Sequence, residues 1–283
     1  MEQPIKTALL AYGMSGKVFH APFLVSHEGF ELVAIVERSK NDVPRDYPNV
    51  AQLRDMEDVF ADASIELVVI NTPNFTHFEL AKRALLSGKH VLIEKPVCVS
   101  KAQGEELFAL AEEKNLKVLP YQNRRFDSDF ASVREVLERG VLGDLVEVQI
   151  RFDRYRNEIS HKTFKEEDIP GAGIFYDLGA HVVDQAISLF GKPDDFSKTY
   201  STNRKESLVD DFAQVLLIYN HGPKVVVTAN MLVVDAPPAY TFFGTSGSFY
   251  KDRTDVQEEQ LLSGIKPKVA GYGIEKPGSE GKL

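Results

Sequence analysis

Cysteine is nearly absent from this 283-residue chain: Cys98 stands alone, so no internal disulfide and no cysteine metal cluster can form. Basic charge is also short. The 33 Lys and Arg against 42 Asp and Glu leave a formal charge of -9, which argues against nucleic acid or an anionic membrane as partner, since both demand basic patches. No apolar run approaches bilayer-spanning length, and the opening Met1-Glu2-Gln3-Pro4 carries neither a charged leader nor a signal-peptide core. There is no internal repeat and no low-complexity tract. Together these absences set the expectation of a cytoplasmic protein, and 43% hydrophobic composition is enough for a substantial core in two domains.

Up to residue 122 the pattern alternates. Strand-like runs at 5–10, 30–36, 65–71, 90–94 and 117–122 are separated by helical segments near 54–61, 76–87 and 100–115. Thr76-x-x-Glu79 and Ser100-x-x-Gln103 both fit capping boxes. Such alternation predicts a parallel sheet with helices on both faces. Beyond a helix-like segment at 130–140 the pattern changes: 145–153 alternates apolar with polar, as a half-buried antiparallel strand does. A helix at 175–190 and strands at 212–219, 224–234 and 240–250 follow, and 266–283 reads as extended loop. The expected domains are 1–122 (α/β) and 123–283 (α+β). In the second, Leu216, Ile218 and Val226 make the later strands apolar on both faces, which predicts cover by a second copy of the chain or by its own tail.

After the first strand comes Ala11-Tyr12-Gly13-Met14-Ser15-Gly16, a G-x-G-x-x-G turn with alanine at its first position. Gly13 would let the backbone approach a pyrophosphate, Gly16 would let the helix pack closely on the strand, and the helix amino terminus would receive the anion. Packing alone is the competing explanation for such small residues. Glu37 ends the second strand 21 positions after Gly16, near the offset of about 20 expected for the acid that binds the adenosine ribose. Glu37 favours NAD, whereas Arg38 and Lys40 beside it suit the 2′-phosphate of NADP, so the cofactor is read as NAD or NADP.

Two further stretches carry chemistry. In Val91-Leu92-Ile93-Glu94-Lys95-Pro96 a lysine stands where an apolar strand stops, the end at which ligands bind in an open parallel sheet. Lys95 is the first candidate catalytic residue, against the alternative of a surface lysine; the proline stiffens the turn and admits a cis bond. In Tyr176-Asp177-Leu178-Gly179-Ala180-His181-Val182-Val183-Asp184, Asp177, His181 and Asp184 share one helical face. A histidine beside a carboxylate suits proton transfer, a surface ion pair is the rival reading, and the spacing matches no zinc motif.

Through Tyr12 to Pro22, Asn123 to Phe130 and Tyr176 to His181, with Thr72-Pro73-Asn74 and Glu94-Lys95-Pro96, the chain resembles the Gfo/Idh/MocA oxidoreductases over essentially its whole length. The likeness leans to the NADP-dependent scyllo-inositol dehydrogenase branch. The resemblance implies an amino-terminal Rossmann domain and a carboxyl-terminal α+β domain on an open, mostly antiparallel sheet. It implies Lys95, Asp177 and His181 as the catalytic set, no metal, and substrate contacts from Asn123, Tyr155 and Asp177. Cofactor contacts are implied for Gly13, Met14, Ser15, Gly16, Glu37, Arg38, Thr72, Pro73, Asn74, His77 and Glu94. Ala11 departs from the usual glycine, Phe126 stands where relatives often have tryptophan, and the carboxyl end is expected to be shortened. The implied reaction is hydride exchange between a nicotinamide and a secondary alcohol of a sugar or cyclic polyol. A redox glycosidase and a catalytically silent nucleotide sensor are the rivals. A small-molecule substrate and a dimer or tetramer through the second domain's sheet are the expected partners.

Overall fold

Residues 3–160 and 165–283 are described in a computed structural model; Met1 and Glu2 of the amino-terminal reading lie outside them. The chain divides into two units, Met1–Tyr121 with Gln257–Tyr272, and Gln122–Val256 with Gly273–Leu283.

In the first unit the elements are β1 (Ile5–Leu9), α1 (Ala21–Ser26), β2 (Phe30–Val36), α2 (Val43–Asp46), β3 (Ala51–Leu53), α3 (Met56–Ala61), β4 (Leu67–Ile70), α4 (His77–Leu86), β5 (His90–Glu94), α5 (Lys101–Glu113) and β6 (Val118–Tyr121). All strand pairings are parallel, in the order β3-β2-β1-β4-β5-β6. Neighbouring strand residues point to opposite faces, and here both faces are buried. Ala8, Val36, Val68, Ile70 and Ile93 join one core cluster; Leu9, Ile35 and Val69 join another. That two-sided burial is why the strands read as unbroken apolar runs. The order reverses between β1 and β4, which places the switch point at the carboxyl ends of these two strands. This is a Rossmann domain.

Ser100 caps α5 as the sequence predicts, accepting from Gln103 N at 3.3 Å. Thr76 does not cap α4. A 3-10 turn at Asn74–Thr76 precedes that helix, so Thr76 already has helical backbone angles, and its hydroxyl bonds Thr72 Oγ1 and Pro73 O instead.

The second unit contains α6 (Ser128–Glu138), β7 (Leu145–Asp153), α7 (Ala180–Phe190), β8 (Asp195–Ser201), β9 (Phe212–Ile218), β10 (Lys224–Asn230), β11 (Tyr240–Gly244) and β12 (Ser248–Lys251). A further helix, α8 (Val256–Leu262), follows, and from Gln257 it belongs to the first unit. The sheet order is β12-β11-β7-β10-β9-β8, antiparallel except that β7 runs parallel to β10. The antiparallel reading of 145–153 holds for its pairing with β11 and fails for its pairing with β10: alternation reports one buried face, here Val148, Ile150 and Phe152, and not the direction of each neighbour. The single strand read at 240–250 is a hairpin, turning where Gly244 N bonds Gly247 O at 2.9 Å. Helices α6 and α7 cover the inner face through Phe130, Val133, Val136, Val182 and Ala186. On the other face Leu216, Ile218 and Val226 are half-buried. The tail pairs Lys282 with Tyr250 at the β12 edge, and Glu275 holds the buried Lys251 ammonium at 2.6 Å.

Buried polar groups fasten the start of α6. Gln185 donates to Tyr240 Oη at 3.0 Å, and Tyr240 donates to Asp129 Oδ1 at 3.3 Å. Arg124 pairs with Asp127 at 3.2 Å and closely with Asp255. Burial pushes the Asp127 carboxyl up to about 7, with Asp129 and Asp255 adding to the rise and Arg124 opposing it. A group raised in the folded state stabilises most below its unfolded value, here 3.8, and loses that contribution as pH climbs through about 7. Asp127→Asn is therefore expected to gain on the wild type in urea denaturation as pH rises from about 4 to about 7; a pH-independent difference would exclude the assignment.

Candidate active site

The first unit's half begins at the turn after β1. Asn71, just beyond β4, bonds both backbone groups of Ala11, accepting from its N at 3.0 Å and donating to its O at 2.8 Å. The turn is thereby tied to the switch point. Ala11 keeps a negative φ, so a methyl is tolerated there. Gly16 is not replaceable in the same way: a Cβ would stand 2.4 Å from Ala11 O and 2.9 Å from Asn71 Nδ2. A Cβ on Gly13 would meet nothing within 4 Å, so the outer side of the turn is open. Gly13 and Met14 are exposed.

Glu94, at the end of β5, reaches back to this turn. Its Oε1 accepts from Ser15 Oγ at 2.6 Å and lies 2.9 Å from His20 Nε2. A carboxylate only accepts, so His20 carries its proton on Nε2. The His20 ring packs on Tyr121 at 4.4 Å between centroids, and Tyr121 donates to Phe19 O at 2.8 Å. Burial alone would push the Glu94 carboxyl up; the bond and charge of His20, the Ser15 hydroxyl and the Lys95 charge outweigh it and hold the group below its ordinary value. Lys95 is half-buried, and the Lys95-Pro96 bond is cis.

Glu37 is buried at the end of β2. Its Oε2 accepts from Asp42 N, Val43 N and Gln52 Nε2 at 2.8, 3.2 and 2.7 Å, and Oε1 is buried without a hydrogen-bond partner. Arg38 is exposed beside it. Thr72 and Asn74 are half-buried and Pro73 exposed in the segment after β4. His77, expected to touch cofactor, is 1% exposed, with Nδ1 2.8 Å from Pro96 O and Nε2 2.9 Å from Thr72 O, so its ring joins these two segments. Burial pulls its pKa down.

The open turn, the tight Gly16 contact and the unsatisfied Glu37 oxygen fit a dinucleotide: amides at the turn for the pyrophosphate, and an acceptor for the ribose diol.

In the second unit, Asp177 sits in a π-helical turn, Phe175–Gly179, that runs into α7, and His181 follows in the first turn of that helix. His181 is 4% exposed, its ring 6.2 Å from that of Phe152. Asp177 accepts from Lys165 Nζ at 2.8 Å. Asp184 is held by Arg125 through two bonds of 2.6 and 2.7 Å, so this member of the predicted face serves an ion pair. Asn123 is half-buried at the start of a 3-10 turn, and Tyr155 is 60% exposed, paired with Leu232 beyond β7.

Local sequence gives no role to His20, Asn71, Tyr121 or Lys165; of these His20 lies within the Tyr12 to Pro22 motif, and its partner is 74 residues away.

Residues 5–122 match the oxidoreductase family with NAD-binding Rossmann fold, and residues 130–250 match the GFO/IDH/MocA C-terminal domain. The chain belongs to the Gfo/Idh/MocA family. This makes it an NAD(P)-binding oxidoreductase. Among its relatives is the scyllo-inositol 2-dehydrogenase (NADP(+)) of Bacillus subtilis, 32% identical over 99% of this chain and 77% of that protein. An uncharacterized oxidoreductase of Schizosaccharomyces pombe is 38% identical over 96% of this chain and 77% of its own. The crystal structure of an oxidoreductase from Bacillus cereus superimposes with a TM-score of 0.89 at 37% identity, covering 98% of this chain and 79% of that one. The chain thus spans about three quarters of these relatives' length. Among the described residues, no helix is long and apolar enough to cross a membrane, and no group of three or more His, Cys, Asp or Glu is arranged to hold a metal ion.

Because its Cβ would collide with backbone, Gly16→Ala is expected to weaken NAD(H) and NADP(H) binding alike by at least about tenfold, a cost of ~1.4 kcal/mol. Cofactor titration followed by nicotinamide fluorescence checks this; unchanged affinity would show that the turn does not carry the dinucleotide.

Proposed function

We propose that the chain catalyses reversible hydride transfer between NAD(P) and a secondary alcohol or ketone of a sugar or cyclic polyol. The observation that carries this reading is Lys95 at the carboxyl end of β5, next to the carboxylate that is bonded to the cofactor turn. The similarity to an inositol dehydrogenase supports the substrate class. When bound, the nicotinamide supplies the hydride acceptor or donor. Of the chain's own residues, His181 takes the hydroxyl proton during oxidation, Lys95 stabilises the developing alkoxide, and Asp177 orients a neighbouring hydroxyl or the His181 ring. Their joint assignment rests on the signature residues. Gly13, Met14, Ser15 and Gly16 with Thr72, Pro73 and Asn74 would hold the dinucleotide, while Asn123 and Tyr155 would contact substrate.

The half-buried Leu216, Ile218 and Val226 supply the face through which we expect copies of the chain to associate, and the acidic balance supports neither nucleic acid nor membrane as partner.

A screen of sugars and polyols with both cofactors tests the activity: steady change at the nicotinamide band is expected, whereas release of an aglycone without net change would establish a redox glycosidase. Lys95→Met is expected to lower kcat/KM by about 100-fold or more with an unchanged melting temperature, because the ammonium acts on charge that develops in the transition state. Loss of stability in step with activity would assign Lys95 a structural role instead.

Cofactor choice is set at the end of β2. Arg38→Ala is expected to weaken NADP binding about tenfold or more while sparing NAD, since a guanidinium reads the 2′-phosphate. Equal losses for the two cofactors would show that Arg38 serves adenine or the fold.

A further inference from the structure

Lys165 stands apart from every role described so far, yet its ammonium is 2.8 Å from Asp177 Oδ2. Neither member is buried: 37% of the Lys165 side chain and 31% of the Asp177 side chain stay accessible. Half-exposed ion pairs add little stability. Both sides of this one are nevertheless anchored.

On the lysine side, the neighbouring Glu166 is gripped by Arg204 at 2.8 and 3.3 Å. Arg204 is 5% exposed, donates also to Glu158 O, and its own amide is held by the fully buried Asp211 at 2.6 Å. On the aspartate side, Phe175 N donates to Asp210 Oδ2 at 2.8 Å and Ile174 N to Asp210 O at 2.9 Å, which fixes the start of the π turn. Gly173 permits that approach, since a Cβ there would stand 2.1 Å from Asp210 Oδ1. The adjacent residues 210 and 211 thus secure the two chain segments that bring Lys165 and Asp177 together.

The chemistry of the pair is complementary. A carboxylate only accepts and an ammonium only donates, and Asp177 engages one of the three N–H groups of Lys165. Set side by side and half open, they offer one acceptor and one donor at the spacing of neighbouring hydroxyl groups. We propose that Lys165 and Asp177 together read a vicinal diol of the substrate, Asp177 accepting from one hydroxyl and Lys165 donating to the oxygen of the next. The proposal deepens the sugar or polyol reading and rests on it. It makes Lys165 a specificity-determining residue, and it selects polyhydroxylated substrates over simple secondary alcohols.

The test uses the full chain with NAD and NADP. Its probes are scyllo-inositol and methyl glucoside, each compared with the analogue lacking one hydroxyl next to the oxidised carbon. For the wild type, kcat/KM is expected to favour the parent by about 10- to 100-fold, the worth of a hydrogen bond to a charged group. In Lys165→Met that ratio should collapse to about one, with the loss concentrated in KM, and Lys165→Arg should restore it. A ratio unchanged by Lys165→Met, with parent and analogue falling equally, would overturn the proposal and leave Lys165 as a support for Asp177. Should the methionine variant misfold, the wild-type ratio and the arginine variant still decide, because a wild type indifferent to the missing hydroxyl refutes the diol reading. A wild type inert toward both parents defeats the polyol reading itself, a different outcome from an active enzyme that does not discriminate.

Discussion

The first unit depends on one shared oxygen. Glu94 Oε1 takes hydrogen bonds from the Ser15 hydroxyl and the His20 ring, and in doing so it fastens the carboxyl end of β5 to the glycine turn and helix that follow β1. Between β1 and β5 in the sheet lies β4, whose end carries Asn71 and, through it, the backbone of Ala11. Three strand ends are thus held by side chains where main-chain pairing has stopped. A carboxylate in that position must be bonded, since an isolated buried charge costs several kcal/mol. His20 and Ser15 supply those bonds, and the residue next to Glu94 is the lysine that the proposed chemistry requires.

His77 extends the same logic one segment further. Its ring lies between Thr72 O and Pro96 O, so the loop after β4 and the turn after β5 are joined by a buried side chain. The positions proposed to face ligand, such as Gly13, Met14, Thr72 and Lys95, are exposed or half-buried, and buried polar groups hold the segments that carry them. Pre-organisation of this kind is what a hydride-transfer site needs, because small displacements of reacting groups cost large factors in rate.

The second unit solves a different problem. Helices α6 and α7 pack on one face of its sheet, where Val148, Ile150, Phe152, Tyr240 and Phe242 form the inner layer. Polar groups that enter this layer form a run from Gln185 Nε2 through the Tyr240 hydroxyl to Asp129. Position follows from these contacts. They tie the middle of α7 to the first turn of α6, and the start of α7 follows the turn that carries Asp177.

Most of the fold was legible in local pattern. The strand at 90–94 and the one at 145–153 have the boundaries expected from their apolar content, because burial on two faces or on one leaves a periodic mark. The strand Asp195–Ser201 left none: every residue in it is exposed, so its order comes from pairing with β9 and not from its own composition. Direction of pairing in β7, the hairpin inside 240–250 and the failed Thr76 cap were likewise decided by neighbours. The site divides in the same way. Gly13, Gly16, Glu37, Lys95, Asp177 and His181 stand in short motifs whose spacing is a backbone property. By itself the amino-acid order determined two domains, the dinucleotide turn and the residue types available for proton and hydride chemistry. Only the tertiary structure decided that Glu94 binds Ser15 and His20, that His77 joins Thr72 to Pro96 and that Lys165 meets Asp177, since these contacts join positions from 5 to 79 residues apart and nothing in local periodicity encodes a partner at that range.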